Sequence, residues 1–351
     1  MNPVDQGTRE YPPCGYGLLG LCCSDCLRGP CRISPFEKTQ ALCGASSDRM
    51  VAAKLCRLAG GEFVRVLESF TRVVTEFRKK SRAPSKGRTE DLSRQYGIPG
   101  KELIPFFKKE TARLLDPFAD PSLLPFSSLF PEQVFLSAHS DKKCGPLLGE
   151  LFGLLNGQEL EEADPETLLW RCLNSAACML IIEELSQGIL SLFSGARLQK
   201  DARTIPPNIP DSPQPVLLSL VGTEPGKSAE MQKLAAALKE IPGILSFSLR
   251  GTKGLIRLGN SLRKKWHRPL ADLPVVALVE SPNVLPSLAS LALGLATVSD
   301  PSLPIQGSDR VEDFFCSGLS KTIGNFYLPV RDEAALSRLR RVLSSSKRRG
   351  T

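Results

Sequence analysis

Histidine is scarce in this chain: two in 351 residues, His139 and His267. They stand in LSAHSDKK and KKWHRPL, beside lysines and away from any cysteine or acidic cluster. Both therefore read as surface residues rather than metal ligands. No apolar run reaches the ~18 residues of a transmembrane helix, so no membrane span is expected. The opening residues, MNPVDQGTREYPP, hold no hydrophobic signal core, and a cytoplasmic location is the expectation. Thiols stay reduced there, which argues against a disulfide framework. The basic stretches have no interleaved aromatics, and that removes the stacking platform a nucleic-acid binder would use. There is no internal repeat.

What is present is ordinary in bulk: 42% apolar residues, 23% charged, net charge +8. The length allows two domains or one large one. Part of the positive excess lies in FRKKSRAPSKGR (77–88) and part in the tail SRLRRVLSSSKRRG. These read as solvated basic ends, with docking of an acidic partner as the sharper alternative.

The pattern changes along the chain. Residues 1–46 are rich in glycine and cysteine. Ser47 and Asp48 offer an N-cap to a helical run with Phe63, Val66, Leu67, Phe70, Val73 and Val74 on one face. Gly60-Gly61 are candidates for a kink. A polar loop is expected at 81–89, a helix from Gly100, then a proline-rich stretch. Asp164-Pro165-Glu166 signals the start of a helix running to about Ser194. After the linker DARTIPPNIPDSPQP, strands at 216–221, 244–249 and 274–279 alternate with helices at 226–240, 252–264 and 283–296. A helix capped by Asp309, a last strand at FYLPV and a last helix at 332–343 follow. Alternating strands and helices predict a parallel sheet covered on both faces. The fold class expected is α/β: an N-terminal helical, cysteine-rich part, then a Rossmann-like parallel sheet in the C-terminal half. The expected divisions are 1–46 for cluster binding, 47–200 helical, and 201–351 Rossmann-like.

Six of the eleven cysteines fall between residues 14 and 43, spaced C-x7-C-C-x2-C-x4-C-x11-C. Iron–sulfur clusters are held by thiolates, usually four for each [4Fe–4S] unit. Cys23, Cys26, Cys31 and Cys43 supply four, and the C-x2-C pair lets one turn aim two sulfurs at one site. Gly29-Pro30 suits a loop whose amides face sulfur. Cys14 and Cys22 are half a site, which a two-fold dimer would complete. A structural zinc site is the competing reading of the four, although an x11 gap is long for a zinc module.

The stretch CGYGLLGLCCSDCLRGPCRISPFEKTQALCGASSDRMVAAKLCR resembles the N-terminal motif of the anaerobic nickel–iron carbon monoxide dehydrogenases. GPLLGELFGLLNGQELEEADPETLLWRCL and GLATVSDPSLPIQGSDRVEDFF are similar to later parts of that family. The resemblance implies that Cys14 and Cys22 bind a cluster shared across a homodimer. It implies that Cys23, Cys26, Cys31 and Cys43 hold a [4Fe–4S] cluster within each subunit. A ferredoxin-like carrier would be the redox partner.

The chain departs from the family at the nickel site. Family members are nearly twice as long. Where they place a histidine after the first α/β strand, this chain has Thr223. Where they place a cysteine pair, it has Ser248 and Leu249, and a ligand-bearing stretch is missing between about His267 and Asp272. The histidines proposed to relay protons in the family have no counterpart in GGEFVRVLESF. Cys56, Cys172 and Cys178 read as core residues, while Cys144 and Cys316 have no partner at ligand spacing. GTEPGKS, after the first strand, is one residue short of a P-loop and reads as a βα turn, though Lys227 at a helix start could meet an anion.

The expectation is thus an electron-transferring iron–sulfur homodimer without nickel and without assignable catalytic residues. The alternatives are an active carbon monoxide dehydrogenase with nickel held by Cys144, Cys172, Cys178 or Cys316, and a regulatory partner of a full-length enzyme.

Overall fold

The computed structural model describes residues 40–41, 44–79, 84, 86–116, 123–135, 164–193, 209–221, 229–280, 284–299, 327–329, 337, 339–341 and 343. Among the described residues the N-terminal part holds four helices: α1 (Ser47–Lys79), α2 (Lys86–Tyr96), α3 (Gly100–Leu114) and α4 (Pro165–Phe193). In α1 the expected face is the buried one: Phe63, Phe70 and Val74 are inside, and Val66, Leu67 and Val73 pack against the same core. The helix continues unbroken through Gly60-Gly61. Its capping oxygen belongs to Ser46, which accepts a hydrogen bond from the Arg49 N–H at 3.2 Å. That is one residue upstream of the expected cap.

Helix α2 occupies part of the stretch expected to be a loop. KGRTEDLSRQY has few apolar residues, and only Leu92 and Tyr96 are buried. The helix is held by those two anchors rather than by an apolar stripe. Short 3-10 turns at Ser127–Leu129 and Glu132–Phe135 carry the chain through the proline-rich stretch.

Helix α4 is the central strut. Asp164 caps it as expected, its carboxylate accepting hydrogen bonds from the Thr167 N–H at 3.0 Å and the Thr167 hydroxyl at 2.7 Å. By length and average hydropathy this helix could cross a membrane, but 78% of its apolar window is buried in the protein. It is apolar on nearly every face because α1, α2, α3 and the later helices surround it. Arg171, Glu183 and Glu184 interrupt the apolar run within it.

Among the described residues the C-terminal part holds five strands: β1 (Val216–Val221), β2 (Leu245–Arg250), β3 (Val275–Glu280), β4 (Ala296–Ser299) and β5 (Tyr327–Pro329). All pair in parallel, in the order β2-β1-β3-β4-β5. Helices α5 (Ala229–Lys239), α6 (Leu255–Trp266) and α7 (Val284–Ala292) lie between them in sequence. The α/β expectation holds: a helical N-terminal part precedes a parallel sheet. Strand β4 lies at the end of a stretch expected to be helical through 296. Helix α7 stops at Ala292, and the positive φ of Gly294 (75°) turns the chain into β4.

Alternate residues of the sheet point into two cores. Val216, Leu218 and Leu220 with Val275, Ala277 and Val279 join the core of α1, α3, α4, α6 and α7. Leu217, Val276, Leu278 and Val298 pack on Met231, Leu234 and Leu238 of α5 and on Leu339 and Leu343. Chain order reverses at β1, so the sheet has a switch point between β1 and β3, the position where open α/β sheets commonly bind ligands.

Candidate metal centre

The six cysteines Cys14, Cys22, Cys23, Cys26, Cys31 and Cys43 lie outside the described residues. The backbone flanking position 43 is described. The Gly44 N–H donates to the Ala41 carbonyl at 2.8 Å, and the Ala41 N–H donates to the Ala45 carbonyl at 2.9 Å. Gly44 takes the left-handed conformation, φ 84°, that such a tight turn requires. Ala41 and Ala45 are buried in the main core. The described backbone at Ala41 and Gly44-Ala45 is therefore anchored to the core immediately before α1.

The donor set is all thiol, with no histidine between positions 14 and 43. Soft thiolates suit iron–sulfur clusters and zinc, and by their chemistry these six residues fit iron–sulfur ligation. Among the described residues no group of three or more His, Cys, Asp or Glu side chains is placed to hold a metal ion.

Of the remaining cysteines, Cys56, Cys172 and Cys178 are fully buried, as the sequence implied. The structure adds a contact that spacing could not reveal. Cys56 on α1 and Cys172 on α4 bring their Sγ atoms to 3.2 Å, and the Cys56 thiol also reaches the Leu168 carbonyl at 3.2 Å. Burial, and then the neighbouring Cys56, push the Cys172 thiol well above its ordinary value. Cys178 Sγ lies 3.8 Å from Asn174 Oδ1. Cys144 and Cys316 lie outside the described residues, as do His139, Thr223, Lys227 and the rest of GTEPGKS. His267 ends α6 in a left-handed conformation, φ 54°, and is exposed.

At the carboxyl edge of the sheet, Val221 of β1 pairs in register with Glu280 of β3 at the switch point. Glu280 is buried. In β2, Ser248 is exposed and Leu249 is buried in the main core. The turn after β2 carries Thr252, whose hydroxyl donates to Glu183 Oε2 at 2.5 Å. Beside it Glu184 accepts from the Tyr96 hydroxyl at 2.8 Å and pairs with Arg257 at 3.0 Å. Burial raises Glu183 and Glu184 above the ordinary carboxylate range and raises Tyr96 well above its own. This polar cluster joins α2, α4 and α6. No local sequence pattern announces it, because its members are spread from position 96 to position 257. The only signal was two adjacent glutamates inside an apolar helix.

No family model matches the chain. It is 34% identical to carbon monoxide dehydrogenase 1 of Methanosarcina acetivorans over 107 residues, which is 28% of this chain and 17% of that protein. It is 48% identical to the carbon monoxide dehydrogenase of Rhodospirillum rubrum over 52 residues, 14% of this chain and 8% of that one. With carbon monoxide dehydrogenase 2 of Carboxydothermus hydrogenoformans it shares 52% identity over 48 residues, 13% and 8% of the two chains. The as-isolated, nickel-free carbon monoxide dehydrogenase of Thermococcus sp. AM4 aligns in structure at TM-score 0.39 and 18% identity, covering 90% of this chain and 56% of that one. Carbon monoxide dehydrogenase IV of Carboxydothermus hydrogenoformans aligns at TM-score 0.39 and 16% identity, covering 94% and 59%. These structural alignments are too loose to add to the sequence matches. The chain is thus similar in sequence to carbon monoxide dehydrogenases over a minor part of its own length and a smaller part of theirs.

Proposed function

We propose that this chain is a carbon monoxide dehydrogenase-like iron–sulfur protein that carries single electrons and has lost the CO-oxidising nickel centre. The observation that carries the reading is the spacing of six cysteines between residues 14 and 43. Cys23, Cys26, Cys31 and Cys43 would hold a [4Fe–4S] cluster in each subunit. Cys14 and Cys22 would hold a second, shared across a homodimer. When bound, the clusters supply one-electron redox chemistry at potentials tuned by burial and by hydrogen bonds to sulfur. Helix α1 begins four residues after Cys43. The partial positive charge of its first N–H groups suits an anionic cluster nearby.

Two observations favour loss of the nickel centre. Ser248 and Leu249 stand where the resemblance calls for cysteines, and Leu249 is packed in the core. Cys172 and Cys178, two of the four cysteines that could rebuild the centre, are buried in α4, and Cys172 is in contact with Cys56. A cytoplasmic location and exchange of electrons with a small ferredoxin-like carrier belong to the same reading.

The test is electron exchange under strict anaerobiosis. Dithionite-reduced protein should pass electrons to an oxidised ferredoxin, with cluster signals in electron paramagnetic resonance disappearing as the acceptor is reduced. The same sample under CO should leave viologen dye oxidised. Viologen reduction by CO would overturn the loss of the nickel centre, and silence in both assays would overturn electron transfer.

A further inference from the structure

We propose that Cys56 and Cys172 are a redox modification site, in which peroxide joins them as a disulfide that crosslinks α1 to α4. Their Sγ atoms lie 3.2 Å apart across the interface of the two helices, 116 residues apart in sequence. A disulfide needs about 2.05 Å, so the sulfurs must close by roughly 1.1 Å. Both residues are fully buried. Among the described residues no third His, Cys, Asp or Glu donor stands beside them.

The step balances with peroxide as the oxidant. One peroxide oxygen is transferred to the Cys56 sulfur, giving a sulfenic acid and one water. The Cys172 sulfur then attacks the sulfenic sulfur. The S–S bond forms, the S–O bond breaks, and hydroxide leaves as water with the Cys172 proton. Two thiols lose two hydrogens, and peroxide is reduced to two waters. Burial holds the proton on Cys172, so this second step should quicken as pH rises and the thiolate forms. Burial also restricts the oxidant to molecules close to water in size, so bulky disulfides should react slowly here.

The bond would act on the part of the fold that leads out of the cysteine segment. Cys56 lies nine residues into α1, about 13 Å along the helix from its start. Fixing it to α4 ties the N-terminal turns of α1 to the central strut. This holds whether or not the N-terminal cysteines carry clusters.

The experiment uses the full chain, purified without oxygen and treated with hydrogen peroxide. Free thiols are then blocked in denaturant and the protein is digested for mass spectrometry. The expected result is a Cys56 peptide linked to a Cys172 peptide, reversible by dithiothreitol, with Cys178 blocked as a free thiol. The thermal midpoint should rise by about 5 °C on oxidation. In Cys56→Ser both the link and the rise should be lost. Recovery of Cys56 and Cys172 as blocked thiols after peroxide, or linkage of Cys56 to a cysteine other than Cys172, would overturn the proposal.

Discussion

Glu184 and Arg257 form a buried ion pair at 3.0 Å that ties the central helix α4 to helix α6 beside the sheet, with their side chains 2% and 13% exposed. Tyr96 completes the arrangement by donating to both the carboxylate and the backbone carbonyl of Glu184. A buried pair of this kind costs desolvation on both sides, so its net contribution is small while it is intact. Removing one partner is different, because the other charge stays buried. Arg257→Ala should therefore lower unfolding free energy by about 3–5 kcal/mol. Urea denaturation measures this directly. A loss under 1 kcal/mol would mean that water reaches Glu184.

Glu183 makes stability depend on pH. Burial raises its folded pKa, opposed by the hydrogen bond from Thr252 and by Lys253, and assisted by Glu184. A carboxyl raised on folding binds its proton more tightly in the folded state. Its stabilising contribution is complete below the unfolded value of about 4.3 and is lost as pH rises through the folded value. Thermal midpoints measured from pH 4 upward should fall across that window. The fall should be smaller in Glu183→Gln, which keeps an acceptor for Thr252 but does not titrate.

Gly188 on α4 sits where no side chain fits. A Cβ there would meet Phe107 ring atoms at 2.5 and 2.6 Å and the Tyr96 hydroxyl at 2.6 Å. Both rings are packed against each other, 5.4 Å between centroids, and cannot easily yield. Gly188→Ala should cost about 1–3 kcal/mol. Gly259 on α6 is the comparison. Its Cβ would come closest to Leu270 Cδ1, at 2.6 Å, the far end of a flexible side chain, and would meet Leu270 Cγ and Leu129 Cδ1 at ordinary contact distances. Chemical denaturation should show the smaller loss for Gly259→Ala.

The two proposed cluster sites should come apart by mutation. Cys26→Ser should remove about four irons per protomer and leave the dimer intact. Cys22→Ser should remove about two and weaken the dimer, because that cluster is shared. Iron analysis with analytical ultracentrifugation separates the cases. Equal losses from both variants would mean that the six cysteines serve a single site.

Much of the fold was legible in the sequence because its signals are local. VLLSLV and PVVALV are short apolar runs of the kind a parallel sheet buries on both faces, and β1 and β3 fall there. Asp164-Pro165 announced the start of α4 through capping chemistry that needs only three residues. Helix α2 has no such signal, because Leu92 and Tyr96 are too few to make a periodic pattern. Strand β4 is hidden in the sequence, because ATVS follows an apolar helix with Gly294 as punctuation. The cysteine ladder was visible as spacing alone. Neither the Cys56–Cys172 contact nor the Glu184–Arg257 pair could be, since each joins residues that only the tertiary fold brings together.

The most direct measurement is iron, acid-labile sulfide and nickel per protomer on protein purified without oxygen, with CO oxidation assayed on the same sample. The account predicts about six irons and six sulfides, four of each from the internal cluster and half of a shared four, with no nickel and no turnover. Stoichiometric nickel with additional iron and CO-dependent turnover would contradict it, and would make the chain a compact enzyme.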